Sequence, residues 1–168
     1  YPFAFTNGVQ ASWLEVDTDT GFVKLLNHWV VEDCGTIINP QLVDEQIRGG
    51  VVQGLGAAWF EKCIYDGRCQ LTNPNMADYL VPMSGEMPDI DVGHVVSPTL
   101  ESELGAKGAG EAGTAGAAAA VSNAVNDALS FIEQQALFTR TGPQGIRQVN
   151  VRGMVAAAFT HRDSRAGD

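Results

Sequence analysis

One acid stands on a loop made almost entirely of small residues: Gly105-Ala106-Lys107-Gly108-Ala109-Gly110-Glu111-Ala112-Gly113-Thr114, directly ahead of the alanine-rich run from Ala115 to Ala120. A carboxylate held there is suited to general-base chemistry, provided a proton comes within hydrogen-bond reach. Four glycines let backbone approach a ligand closely and adopt positive φ, at a cost in folding entropy. Thr114 is placed to cap a following helix, whose positive end favours a nearby negative group. The same composition also serves as a solvated connector. It is no standard phosphate cradle, because the spacing G-x-x-G-x-G matches neither the Walker loop nor the dinucleotide fingerprint.

A second candidate is Gln53-Gly54, inside a stretch that also carries Gly49, Gly50 and Gly56. Each glycine in a helix interior costs about 1 kcal/mol relative to alanine. So many imply close approach, either by another helix or by a bound cofactor lying against Gln53 and the Gly54 backbone.

The elements that must position these residues follow from periodicity. Val9 to Val16 and Phe22 to Val31 flank Asp17-Thr18-Asp19-Thr20-Gly21 and predict an antiparallel hairpin; the second strand is apolar enough to be covered on both faces, with Trp13 and Trp29 in the core. Tyr1 to Asn7 reads as a lead-in. Asn39-Pro40 is a helix start, and Val43, Ile47, Val51, Leu55 and Trp59 give a stripe that carries the helix to about Glu61. Ile64-Tyr65 and Gln70-Leu71 flank Asp66-Gly67 as a small hairpin, and Asp89 to Val96 alternates as a strand with one buried face. Thr114 to Leu137 is the strongest helix, with Ala117, Val121, Val125, Leu129 and Ile132 on one face, and Ile146 to Phe159 is read as a last helix. The fold class is α+β, antiparallel or mixed strands packed against two long Gly/Ala-rich helices, over residues 1–160, with a polar tail at 161–168 expected to be disordered.

Twenty acids against ten bases give a net charge of -10, which opposes nucleic acid and anionic membranes and points to proteins or small molecules as partners. No apolar span approaches the length of a membrane helix. Cys34, Cys63 and Cys69 are odd in number and form no C-x-x-C, so neither a disulfide framework nor an iron–sulfur or zinc site is written here; a reduced, cytoplasmic compartment is expected. His28, His94 and His161 stand far apart and read as ordinary surface or core histidines, and no metal ligand is assigned. Tyr1 in first position is expected to lie after a processing site or inside a longer reading frame.

Three motifs stand in order: Asp33-Cys34-Gly35-Thr36-Ile37-Ile38-Asn39-Pro40, Gln46-Ile47-Arg48-Gly49-Gly50-Val51-Val52-Gln53-Gly54-Leu55-Gly56, and Gly105 to Glu111. Together they resemble the xanthine dehydrogenase and aldehyde oxidoreductase family of molybdenum hydroxylases, with the third motif nearest the bacterial branch that includes carbon monoxide dehydrogenase. The resemblance covers roughly Gly8 to Leu137. It implies the C-terminal part of a molybdopterin-binding large subunit, active only with the rest of that subunit. Glu111 then falls on the family's active-site glutamate, a general base on a molybdenum-bound hydroxide in the hydroxylation of an electron-poor carbon of an aldehyde or N-heteroaromatic. Burial beside the cofactor would raise a carboxylate's pKa toward that task. Gln53, Gly54, Lys107, Gly108, Ala109 and Gly110 fall where the family approaches the cofactor.

By the same implication the cofactor is molybdenum-molybdopterin, in its cytosine dinucleotide form for a bacterial member, shared with another chain. Iron–sulfur clusters and FAD would sit on partner subunits. The family's upstream G-G-x-F-G-G-K-type loop does not occur in this sequence. Two other readings of the chain are a non-catalytic assembly module of a molybdenum enzyme and an unrelated ligand-binding domain.

Overall fold

A computed structural model describes residues 4–139 and 150–160. The chain begins with β1 (Asn7–Asp17), which turns into β2 (Val23–Asp33), pairing antiparallel from Asn7↔Asp33 to Val16↔Val23. The turn is set by local chemistry. The Asp17 carboxylate accepts the amides of Asp19 and Thr20, and Gly21 takes φ 73 where a side chain would be strained.

α1 (Pro40–Leu55) starts as expected: the Asn39 side chain accepts the Leu42 amide and Pro40 occupies the first turn. It stops earlier than its stripe implies. Residues Gly56–Phe60 widen into a π-helical turn, and the Glu61 amide closes it on the Gly56 carbonyl. The small hairpin reduces to a single bridge, Tyr65↔Leu71. β3 (Ile90–His94) then lies parallel to β2, and α2 (Ala112–Thr139) follows. β4 (Asn150–Thr160) pairs antiparallel with the other edge of β1, giving the sheet order β3-β2-β1-β4.

That fourth strand replaces the helix expected over Ile146 to Phe159. Three consecutive alanines favour a helix locally, but the open edge of β1 offers an eleven-residue ladder from Asn7↔Thr160 to Asp17↔Asn150, and sheet pairing overrides propensity. The polar tail at 161–168 lies outside the described residues.

α2 lies against β1 and β4, and α1 packs on α2. The core fills the space between: Leu14, Val16, Leu25 and Val30 from the sheet, Ile47, Val51 and Leu55 from α1, and Ala117, Val121, Ala124 and Ala128 from α2. The buried stripe of α2 is mostly alanine, not the larger residues expected. Leu129 is 40% exposed and Ala120, Ala124 and Ala128 are buried in its place, because only small side chains let α2 sit this close to its neighbours. Among the described residues β2 is covered on one face only; Val31 on the other is 42% exposed, and Trp13 and Trp29 are half-buried.

Candidate functional site

Asp33 ends β2 and begins the first motif. Its carboxylate accepts the Gly35 amide at 3.0 Å, the Ser97 amide at 3.2 Å and the Ser97 hydroxyl, and the Lys107 ammonium lies 2.7 Å from Oδ2. Burial pushes the Asp33 carboxyl up, but Lys107, Ser97 and the Gly35 and Ser97 amides together hold it well below the usual carboxylate range. The Lys107 amide donates to the Cys34 carbonyl at 2.8 Å, and the Gly105 carbonyl accepts the Thr36 and Thr99 amides. Gly35 and Gly105 have φ 66 and 72, and a Cβ on Gly35 would lie 2.3 Å from the Gly105 oxygen, so only glycine permits the Gly35↔Ala106 bridge. The first motif therefore grips the base of the glycine loop.

The second motif grips its far end. Gln46 Nε2 donates to the Gly110 carbonyl at 2.8 Å. The Thr114 hydroxyl donates to the Gly50 carbonyl at 3.0 Å, so it ties the helices together instead of capping; α2 already starts at Ala112. A Cβ on Gly113 would lie 2.1 Å from the Ile47 oxygen, and one on Gly54 would lie 2.8 Å from both the Thr114 oxygen and the Ala117 Cβ. Two of the four glycines of this motif are thus explained by helix–helix contact: Gly50 and Gly54 face α2, whereas Gly49 faces open space and Gly56 lies against Glu61 and Pro82.

Between these grips stands Glu111. Its residue is exposed, its carbonyl accepts the Thr114 and Ala115 amides, and its carboxylate makes no hydrogen bond or ion pair among the described residues. The amides of Ala109, Gly110 and Glu111 also lack partners among the described residues, and a Cβ on Gly108 or Gly110 would meet nothing within 4 Å. Gly108 is turned back weakly, its amide 3.5 Å from the Ala4 carbonyl. Of the expected cofactor contacts, Gln53 is exposed on α1, Gly54 is buried against α2, and Lys107 uses both its amide and its ammonium within the chain.

Sequence reasoning passed over the residues beneath this loop. Gln10, Ser12, His28 and Glu32 are fully buried on the helix-facing side of β1 and β2. Gln10 and Ser12 share the alternation of Leu14 and Val16, and that phase was the available signal. Burial pushes His28 down to about 4, leaving the ring neutral. Burial pushes Glu32 up to about 8, lowered only in part by the nearby Gln10, and neither of its carboxyl oxygens has a hydrogen-bond partner among the described residues. An apolar cleft lined by Phe22, Leu25, Trp59 and Phe60 opens at the opposite end of β2 and includes none of these residues. Among the described residues no cluster of His, Cys, Asp or Glu could hold a metal ion, and no helix is long and apolar enough to cross a membrane.

Residues 1–88 match the molybdopterin cofactor-binding domain family. The nicotine 6-hydroxylase large subunit of Paenarthrobacter nicotinovorans is 48% identical over 126 residues, 75% of this chain and 15% of that protein. The chain belongs to the molybdopterin-binding large-subunit family of the molybdenum hydroxylases. The carbon monoxide dehydrogenase large chain of Afipia carboxidovorans is 33% identical over 132 residues, 79% of this chain and 16% of the relative. Among solved structures, quinoline 2-oxidoreductase from Pseudomonas putida 86 superposes with a TM-score of 0.73 at 42% identity, over 76% of this chain and 16% of that one. The chain therefore spans about a sixth of the length of the relatives it matches. Residues 105–168 also match a TrwC relaxase family. The part of that stretch at 105–128 is nonetheless built into the first half, through the Gly35↔Ala106 bridge, the Lys107–Asp33 pair and the packing of α2 on α1.

Proposed function

We propose that this chain completes a molybdenum hydroxylase by supplying Glu111 as the general base. The observation that carries the reading is the contrast at the loop: every flank is tied down, while the one carboxylate and three successive amides beside it are left without partners among the described residues. That donor set fits the oxygen-rich periphery of a molybdopterin at the positive end of a long helix. When bound, the cofactor supplies an activated water-derived oxygen and accepts the electrons of the oxidation. Glu111 takes up the proton, and its position at the head of α2 keeps the acceptor in one place. The amides of Ala109 and Gly110, with Gly108 and the exposed Gln53 amide, hold the cofactor's edge; Gly54 lets α1 approach, and Lys107 braces the loop through Asp33.

The identities to a nicotine hydroxylase and a quinoline oxidoreductase, 48% and 42%, stand above the 30% to an aldehyde oxidoreductase, and support an electron-poor carbon of an N-heteroaromatic ring over an aldehyde. The cytosine dinucleotide form of the pterin, partner subunits carrying iron–sulfur clusters and FAD, and a cytoplasmic site of action belong to the same proposal. Relatives named as large subunits and large chains support the existence of smaller partners.

The test is Glu111→Gln in the assembled enzyme. Removing a general base is expected to lower turnover by about 10²- to 10⁴-fold with molybdenum content unchanged; near-normal turnover would refute the reading. Loss of molybdenum together with turnover would favour the assembly-module alternative.

A further inference from the structure

Four polar side chains lie fully buried on the sheet under the first turn of α2, and three of them form an unbroken chain of hydrogen bonds. Gln10 Nε2 lies 2.9 Å from the Gly113 carbonyl and 3.4 Å from the Ala112 carbonyl. Carbonyls only accept, so the amide nitrogen must face α2 and Oε1 must face the sheet. His28 Nε2 is 3.1 Å from that oxygen and therefore carries the proton. His28 Nδ1 is then an acceptor, and the Ser12 hydroxyl, 2.9 Å away, donates to it. Each group fixes the orientation of the next, from β1 across β2 and back to the helix.

Ala112 and Gly113 are the two residues that follow Glu111. Successive Cα atoms are 3.8 Å apart across a trans peptide, so holding these carbonyls holds the base within one residue of the anchor. Gly113 cannot slide toward α1 in compensation, because Ile47 and Val51 backbone already fills the place of a Cβ. We infer that Gln10, oriented by His28 and Ser12, is a positioning residue for Glu111. It sets where the carboxylate stands without touching cofactor or substrate, and the inference rests on the assignment of Glu111 as base.

A 1 Å misplacement of a reacting group costs on the order of a hundredfold in rate. In the assembled enzyme, Gln10→Leu keeps the volume and removes the hook. The expected result is a fall in kcat per molybdenum of about ten- to a hundredfold with KM within about twofold, and faster hydrogen exchange confined to the amides of residues 113–117. Gln10→Glu, of the same size but with the donor replaced by an acceptor, is expected to give the same kcat loss and serves if the leucine variant does not fold. A uniform loss of thermal stability with kcat per molybdenum and local exchange unchanged would overturn the inference. Glu111→Gln measured alongside separates two failures. Full turnover there removes the base itself and the positioning role with it; lost turnover there with unchanged kcat in both Gln10 variants removes only the positioning role.

Discussion

Lys107 and Asp33 bury opposite charges side by side, each side chain only 12% exposed, with Ser97 and two amides satisfying the remaining carboxylate valences. Such a pair adds modestly to stability when intact, but removing one partner strands a charge in a dry place. Lys107→Met is expected to cost about 3 to 5 kcal/mol in urea unfolding, and Asp33→Asn less, since the amides and hydroxyl still find an acceptor. Because the folded-state Asp33 carboxyl is held below its ordinary value of 3.8, its contribution is complete above that pH and is lost as pH falls below it. The side chains that hold the loop were less legible than the acid on it. Glu111 stands out in the sequence because its immediate neighbours, Gly108 to Gly113, otherwise carry no functional group. Asp33, Gln46 and Gln10 do not, since each acts across a long sequence separation and no periodicity announces a partner 74, 64 or 102 residues away.

At the scale of elements, the crossing of α1 and α2 decides where the loop ends up. The contact is close, with Gly113 seated on the backbone of Ile47 and Val51, and Gly54 on the Thr114 carbonyl and the Ala117 methyl group. Gly113→Ala would push the helices apart, a strain of roughly 1 to 3 kcal/mol, and would displace Glu111 with the start of α2. The expected outcome is a lowered unfolding temperature and a kcat loss larger than that of Gly49→Ala, which meets nothing within 4 Å, measured in the same assay. The glycines of the second motif signalled close approach in the sequence, and helix packing makes use of it at Gly50 and Gly54. The hairpin, the start of α1 and the length of α2 were legible because local signals and tertiary contacts agree there. β4 was not: its local preference is helical, and the edge of β1 that recruits it lies well over a hundred residues away in the chain.

The whole molecule carries a second consequence of its buried polar stripe. Glu32, pushed up to about 8 from 4.5, is stabilised in its protonated form by folding, so stability falls as pH rises from 4.5 and the loss is complete above 8. His28, pushed down to about 4 from 6.5, acts with the opposite sign: stability falls as pH drops from 6.5 toward 4. The two slopes offset each other between 4.5 and 6.5. Thermal unfolding is therefore expected to show a plateau over that range and a decline toward pH 8, which Glu32→Gln abolishes. In the working particle, with the remaining polypeptide in place around a loop that both motifs hold fixed, the decisive number is turnover per molybdenum atom when the acid at position 111 becomes an amide. A drop of about 10² or more at full metal loading is the predicted result; turnover within a few fold of the unaltered enzyme would contradict it.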